Sequence, residues 1–445
     1  MNEDVIEPNN YVFIRLPSAT LRITKLVPNS TVYLGKFGSF FADDIIGRPY
    51  GYTYEIKDDK HVDTLYSSEG LFPSSTVDAD EEEDGEETDS TPAPEDILGR
   101  TSDDTGVQKL SMTEIEALKR TASGEKIIET VIKSHSAFEK KSVYSQEKYK
   151  RRKQQKFLRR FTPCSVGSCE VIEYFQYKDH HRILELTAES LGLIMSLANI
   201  RPGGKYITID ETGGLVAGAM MERMGGEGMI MFVHENEHPN LDVMKYMNFS
   251  EAMVEHMIKT INLLQLFHPE EEEEMKILSE DILSKMKSSR RGQYYRRLAR
   301  HIELQSIFQH ISEGLFDGLI LATTLQTKLL LDKLIPALQG SRQLVIYNTA
   351  KEPLVTTSHD LMADLRVLAP TILESRVRKF QVFPGRTHPE MTSKSGGGYV
   401  LWGTRVLPSN VQAGGKKRRK PNREKSAKIT KISGTEEEDK MEIVA

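Results

Sequence analysis

The sequence predicts an α/β protein in which a small, closed β-domain at the N-terminus precedes a parallel sheet flanked by helices. Residues 205–221 have the pattern of a strand, a tight turn and a helix, and residues 229–233 have that of a second buried strand. Two strands joined by a helix indicate a parallel sheet. Short strands separated by turn residues over 11–57 indicate a small β-barrel, which hides its edges by closing.

Length favours two or three domains, because 445 residues exceed the usual single core, and the hydrophobic fraction of only 38% indicates that some of the chain is unfolded. The net charge of −6 conceals a strong segregation of acidic and basic residues. Cys164 and Cys169 have no further ligands at zinc spacing, so no metal site is expected. The sequence shows no signal-peptide pattern and no apolar run of membrane-spanning length, so we expect a soluble intracellular protein with no membrane partner.

Changes in composition along the chain predict the domain boundaries. The block from Asp78 to Asp96 contains no Lys or Arg, and so acidic a segment buries too little apolar surface to fold. Ser111–Glu114 fits a capping box before a helical pattern. The predicted parts are a β-barrel-like domain (1–75), an acidic disordered linker (76–106), a helical basic connector (107–163), a Rossmann-like domain (164–408) with a helical insertion (about 249–312), and a basic disordered tail (409–445).

The basic connector carries the strongest binding signal in the sequence. A helix is predicted from Ser145 to Arg160, with Lys148, Arg152, Lys156 and Arg160 recurring every fourth residue along one line. Like charges at this spacing repel, and a polyanion removes that cost by neutralising them. The pattern therefore favours RNA binding, while a solvated helix or a nuclear import signal is the alternative.

Two further segments combine basic residues with residues suited to RNA contact. Ser288–Arg300 holds two tyrosines among five arginines, which suits phosphate contact and base stacking as well as it suits a solvated helix face. Near the C-terminus, Arg386 and His388 precede a glycine run. His388 and Glu390 have no evident catalytic partner, so phosphate or backbone contacts suit this loop better than catalysis.

The turn after the strand 205–210 argues against a bound cofactor. A cofactor loop needs spaced glycines that let the ligand approach the backbone, whereas Asp210, Glu211 and Thr212 occupy this turn, followed by Gly213 and Gly214. Carboxylates at the mouth repel phosphate and crowd a nucleoside. We therefore expect no catalytic, cofactor-binding or metal-binding residues in this chain.

Several of these segments also carry a family resemblance. The chain resembles the non-catalytic subunits of the eukaryotic tRNA (adenine-58, N1) methyltransferase. The resemblance covers most of the chain outside the acidic block and the tails. Its segments are Gly35–Phe40, Gly47–Gly51, Lys148–Lys156, Asn199–Gly204, Gly213–Gly226, Gly385–Met391 and Gly396–Tyr399.

The resemblance implies a heterotetramer of two such chains and two catalytic paralogues, in which the paralogue binds S-adenosylmethionine. The basic tail Lys416–Lys420 favours import into the nucleus, while a nucleic-acid-binding arm is the alternative. Active paralogues have a glycine-rich loop and an Asp after the fourth strand, and this chain has Asp210–Gly214 and Ala322 there. Together with the basic segments, the resemblance predicts these tRNA-binding residues: Lys119, Arg120, Lys126, Lys148, Lys150, Arg151, Arg152, Lys153, Lys156, Arg159, Arg160, Arg378, Lys379, Arg386, His388 and Lys394. Two alternatives remain open, namely an active methyltransferase with an atypical cofactor loop and a general RNA-binding scaffold or translation adaptor.

Overall fold

An open antiparallel sheet forms the N-terminal part of the structure, a computed structural model. Its strands are β1 (Tyr11–Arg15), β2 (Leu21–Lys25), β5 (Tyr54–Ile56), β6 (Val62–Thr64) and β7 (Arg160–Cys164), and a separate hairpin consists of β3 (Thr31–Tyr33) and β4 (Ser39–Phe41). The order β2-β1-β7-β5-β6 leaves β2 and β6 as unpaired edges, so the closed barrel expected from the sequence is not found among the described strands. The hairpin instead covers one face, and Phe40 packs there in a shared core.

The structure describes only part of the chain. These are residues 5–18, 20–57, 59–65, 110, 114–115, 117–118, 124–272, 275–383, 386–391 and 396–407. The predicted acidic linker and basic tail lie outside this part, as do Lys119, Arg120 and Lys394 among the predicted tRNA-binding residues. The described residues up to Val406 belong to one compact unit.

The strand β7 corrects the prediction that the basic helix continues to Arg160. The helix ends at Phe157, and Pro163, which has no N–H to donate, stands within β7. β7 pairs with β1 on one side and β5 on the other, at the centre of the N-terminal sheet. The Phe161 ring is fully buried and stacks on Phe40 with 4.3 Å between ring centroids. Burial of the Phe161 ring therefore determines the strand conformation, although the spacing of the charged residues predicts a helix.

Directly before β7, the described residues form the helices α1 (Gly124–Lys133) and α2 (Val143–Phe157). They pack through a small apolar cluster that includes Val131 and Phe157. A Cβ on Gly124 would lie 2.6 Å from the Phe157 carbonyl oxygen, so only glycine allows this close approach. The hydroxyl of Ser142 accepts a hydrogen bond from the Ser145 N–H and caps α2.

The central sheet has the strand order of a Rossmann-like fold. Its strands are β8 (Lys205–Asp210), β9 (Met229–His234), β10 (Ile258–Asn262), β11 (Phe316–Ala322), β12 (Leu338–Asn348), β13 (Val367–Glu374) and β16 (Tyr399–Arg405). The order β10-β9-β8-β11-β12-β16-β13 is parallel through β12, and β16 is antiparallel to both of its neighbours. The order reverses between β8 and β11, which is where such sheets open a ligand crevice at the carboxyl ends of the strands.

Side chains alternate between two cores on the faces of this sheet. Tyr206 and Ile320 face one core, while Ile207 and Leu319 face the other. The covering helices are α3 (Ser168–Lys178), α4 (Ala188–Leu197), α5 (Leu215–Met224), α10 (Thr327–Leu334) and α11 (Lys351–Ala363). A hairpin of β14 (Phe380–Phe383) and β15 (Arg386–Pro389) lies between β13 and β16 in the chain.

The segment predicted as a helical insertion also contains a strand. Its helices are α6 (Glu251–Met257), α7 (Leu263–Phe267), α8 (Glu280–Lys285) and α9 (Ser288–Glu313). Residues Ile258–Asn262 form β10, an edge strand of the sheet, because Ile258 and Ile261 bury their side chains in the cores while the neighbouring residues stay partly exposed. In the described ranges, no helix has the length and apolarity needed to cross a membrane.

Burial of Phe161 in β7 generates a stability prediction. Phe161→Ala should lower the free energy of unfolding by about 3–5 kcal/mol, because it opens a cavity among buried aromatic rings. Tyr33→Ala is the matched control, since the Tyr33 side chain is 70% exposed, and it should stay within roughly 0.5 kcal/mol of the parent chain. Denaturant titration measures both changes, and equal effects from the two substitutions would contradict the position assigned to β7.

Candidate nucleic-acid interface

The basic helix α2 and the hairpin β14–β15 meet through aromatic side chains. The Tyr144 hydroxyl lies 2.7 Å from Nε2 of His388, and the Tyr144 ring packs edge-on against Phe383 with 5.0 Å between centroids. The other ring nitrogen of His388, Nδ1, lies 2.9 Å from the Pro389 carbonyl oxygen, which only accepts. In a neutral ring Nδ1 therefore carries the proton and Nε2 accepts from Tyr144. This contact joins two segments that are 244 positions apart in the chain.

Two arginines lie over the rings of this junction. The Arg151 guanidinium is 4.3 Å from the centroid of Phe383, and the Arg386 guanidinium is 5.3 Å from that of Tyr144. Neither forms an ion pair with an acidic residue among the described residues. Stacking on a ring orders the guanidinium while its N–H groups remain able to donate to a phosphate. We call α2 and the β14–β15 hairpin together the basic junction.

Among the other predicted tRNA-binding residues, Arg378 and Lys153 each contact a neighbouring residue. Arg378 donates to the Glu390 carbonyl oxygen at 3.2 Å and so braces the base of the hairpin. Lys153 lies 5.0 Å from the centroid of Tyr149. The remaining residues are exposed or half-buried on α1, on and after α2, and just before β14: Lys126, Lys148, Lys150, Arg152, Lys156, Arg159 and Lys379.

Arg160 differs from the rest of the predicted set. It lies on β7, its side chain is only 10% exposed, and it forms ion pairs with Glu125 at 2.6 Å and with Glu55 at 3.5 Å. The predicted line of charges along the helix therefore ends at Lys156. The sequence analysis did not identify Tyr144 and Phe383 as the residues that join the two basic segments. The only signal for this contact in the sequence was an aromatic residue next to each segment.

The carboxylate of Asp210 is turned into the protein at the end of β8. It accepts hydrogen bonds from the Thr212 N–H at 2.8 Å, from the Ala217 N–H at 3.0 Å and from the Thr212 hydroxyl. Burial raises the pKa of this carboxyl above its ordinary value, although these donors oppose the rise. Asp210 thereby caps α5. In dinucleotide-binding folds, the N-terminus of the helix at this position binds the cofactor phosphates.

Glu211 bridges the two central strands at the point where their order reverses. Its carboxylate accepts from the Thr324 N–H at 2.9 Å and hydroxyl at 2.8 Å, and from the Thr323 hydroxyl. Thr323 follows directly after Ala322, the residue standing near the position of the paralogue's Asp. The crevice between β8 and β11 is thus crossed by a side chain of the protein itself.

The glycines of the turn make room for the chain rather than for a ligand. Gly213 has a φ of +73° and Gly214 a φ of +84°. A Cβ on Gly213 would lie 2.7 Å from Cγ2 of Val243, and one on Gly214 would lie 2.9 Å from Cδ2 of Leu241. The Val243 N–H donates to the Gly213 carbonyl oxygen at 2.9 Å. The segment after β9 therefore covers the surface on which a nucleotide would lie.

The other residues that could bind a cofactor or a metal have weaker support. At the end of β9, where a ribose-binding carboxylate belongs, Nδ1 of His234 lies 2.6 Å from the Asn236 carbonyl oxygen, and burial lowers the pKa of its ring. His180, His181 and Glu185 each offer a ligand atom within 4.8 Å of the others, on a surface turn. Both cysteine thiols are free, and burial raises the pKa of each.

The glycine run after the hairpin serves internal packing. The Ser190 hydroxyl donates to the Gly397 carbonyl oxygen at 2.8 Å, and a Cβ on Gly397 would lie 2.2 Å from Oγ1 of Thr187. A Cβ on Gly398 would lie 2.6 Å from the Tyr347 hydroxyl oxygen. These glycines let β16 enter the sheet beside α4, and a phosphate-binding role is not needed to explain them.

Comparison with known proteins assigns the family. A profile described as the Gcd10p family matches residues 5–289, which is more than half of the chain. The chain belongs to the Gcd10p family. A protein from Debaryomyces hansenii is 43% identical over 96% of this chain and 92% of its own length, and it is named tRNA (adenine(58)-N(1))-methyltransferase non-catalytic subunit TRM6. Proteins of the same name from Eremothecium gossypii and Schizosaccharomyces pombe are 41% and 33% identical over 91% and 95% of this chain, and over 94% and 97% of their own lengths.

Solved structures similar to this Gcd10p-family chain include two methyltransferases. An S-adenosylmethionine-dependent O-methyltransferase from Thermotoga maritima is 10% identical with a TM-score of 0.47, covering 92% of this chain and 97% of its own. The tRNA (m1A58) methyltransferase TrmI from Aquifex aeolicus is 9% identical with a TM-score of 0.43, covering 91% and 100%.

The filled crevice predicts that this Gcd10p-family chain does not bind S-adenosylmethionine. Titration of the cofactor into the isolated chain should release no saturable heat, because Asp210 and Glu211 engage internal donors and Val243 covers the turn. Isothermal calorimetry makes the measurement, with a glycine-loop methyltransferase as the positive control. A saturable isotherm with one site per chain would instead support the active-methyltransferase alternative.

Proposed function

We propose that this chain is the non-catalytic subunit of a tRNA (adenine(58)-N(1))-methyltransferase, and that it holds the tRNA for a catalytic partner. The identity of 43% to a subunit of that name, over 96% of this chain, carries the proposal. Asp210 and Glu211, engaged at the carboxyl ends of the central strands, support the non-catalytic part. The basic junction supports the tRNA-holding part.

Binding energy away from the target base is what the reaction needs from such a subunit. Adenine N1 lies on the pairing edge, so the base must leave its contacts in the folded tRNA before a methyl group can reach it. Freeing a base costs on the order of a few kcal/mol. Backbone contacts elsewhere on the tRNA offset this cost, and they recognise the shape of the RNA more than its sequence.

The basic junction is suited to such contacts because its arginines are ordered before the RNA arrives. Arg151 and Arg386 are held on Phe383 and Tyr144, so less side-chain freedom is lost when they meet a phosphate.

We further propose two copies of each subunit, S-adenosylmethionine bound only by the catalytic partner, and a nuclear location directed by the tail Lys416–Lys420. Native mass measurement of the complex, and imaging of a fluorescent fusion with that tail neutralised, test the assembly and the location.

Neutralising α2 tests the tRNA surface. Replacing Arg151, Arg152, Lys153 and Lys156 with Ala should weaken tRNA binding, and the slope of log affinity against log salt should fall by roughly one for each residue that meets a phosphate. Filter binding across a salt series measures both quantities. The matched control removes four positive charges from the central domain by changing Lys245, Lys328, Lys333 and Lys351 to Ala. Equal losses in the two variants would mean that net charge, and not the basic junction, drives binding.

Reconstitution separates the proposed function from the scaffold alternative. The catalytic paralogue alone should transfer little methyl to N1 of adenosine in tRNA, and adding this chain should restore transfer, because the partner then gains the backbone contacts that offset freeing the base. A radiolabelled methyl-transfer assay with and without this chain gives the comparison. Full activity of the paralogue alone would support a general scaffold or translation adaptor.

A further inference from the structure

The first half of α9, together with the last residue of α8 and the turn between the two helices, presents a surface of exposed cations. We call this surface the α9 basic surface. All its charged side chains are exposed: Lys285, Lys287, Arg290, Arg291, Arg296 and Arg297. Within the described part of the chain, none of the four arginines forms an ion pair with a carboxylate, whereas Arg300 farther along the helix pairs with Glu303 at 2.9 Å. Among the described side chains, the repulsion between these arginines is therefore not relieved by an ion pair.

The way in which α9 is held in the domain explains why the cations of its first half are exposed. The second half buries Leu304 and Ile307 in the core beneath the sheet, while Tyr294 is the buried residue of the first half. The Tyr294 hydroxyl accepts from the Leu278 N–H at 3.0 Å. At 100° per residue, the arginines lie on several sides of the first half of the helix. Tyr295 stands among them and is 51% exposed.

We propose that the α9 basic surface is a second RNA-binding site, which rests on the proposed function because the RNA it would meet is the tRNA held by the basic junction. Arginine donates to phosphate oxygens in a bidentate manner, and an exposed tyrosine between arginines offers a platform for a base. An acidic protein would match the charges equally well, but a ring interleaved with arginines is the pattern that combines base stacking with phosphate contact. These features together favour RNA as the occupant.

The two basic surfaces lie at opposite edges of the central sheet. The Arg300 guanidinium donates to Oγ1 of Thr260 at 3.2 Å, which fastens α9 to the edge strand β10. The hairpin of the basic junction leaves the sheet where β13 ends, at Glu374, beside Tyr399 at the start of β16. Seven strands at about 4.8 Å spacing separate the outer strands by roughly 29 Å. An RNA that reaches both surfaces must extend over a distance of this order, which suits a folded tRNA better than a short stem.

Changing Arg290, Arg291, Arg296 and Arg297 to Ala in the full chain, within the complex with its catalytic partner, tests the inference. The salt slope for tRNA binding should fall by roughly two to four, and the slope of a variant that also carries the α2 substitutions should fall by the sum of the two losses. Changing the four arginines to Lys is the charge-preserving control and should keep the slope. Tyr295→Ala should weaken binding without altering the slope, because it removes a stacking surface and no charge.

Each outcome separates this inference from the proposed function. Wild-type affinity and slope in the α9 variant, with losses confined to the α2 variant, would overturn the second site and leave the proposed function standing. Losses confined to the α9 variant would support the second site and reject the basic junction as the tRNA surface. Unchanged tRNA binding combined with loss of the catalytic partner in a pull-down would assign the α9 basic surface to an acidic protein. Far-UV circular dichroism establishes folding, and the pair Arg290→Ala with Arg297→Ala replaces the quadruple variant if that variant unfolds.

Discussion

Two acidic side chains at the carboxyl end of β8 constrain the turn and the strand β11 beside it. A buried carboxylate is costly unless donors surround it. Asp210 obtains its donors from Thr212 in the turn and from Ala217 in the first turn of α5, and Glu211 obtains its donors from Thr323 and Thr324. Once these contacts form, the crevice between the strands is closed by the protein itself. The turn that forms the ligand site in other Rossmann-like folds thus links the ends of β8 and β11 in this chain.

Other parts of the chain pack against the glycines of the turn. Gly213 and Gly214 keep the left-handed backbone that such a turn requires, yet the space above them holds Leu241 and Val243. The fold is thereby retained without the chemistry that usually accompanies it. The proposed tRNA contacts lie on the outside of the domain, where charge and aromatic rings meet solvent.

The basic junction depends on contacts between segments remote in sequence. Tyr144 and Phe383 hold α2 against the hairpin, and the arginines from the two segments stack on these same rings. Ordering cationic side chains in advance lowers the entropy lost on binding a polyanion. Arg160 shows the opposite use of charge, because its two carboxylate partners make it part of the frame between α1 and the N-terminal sheet.

The sequence by itself determined the elements whose patterns are local. Short, largely apolar runs identified β8 and β9, the glycine-limited turn identified the start of α5, and the density of Lys and Arg identified α2. Tertiary structure alone decided that Phe161 belongs to a strand, that Ile258–Asn262 joins the sheet edge, and that His388 meets Tyr144. Periodicity reports the neighbours of a residue within its own element, whereas these three outcomes depend on which distant surface is available to bury an aromatic ring, pair a backbone or accept a hydrogen bond.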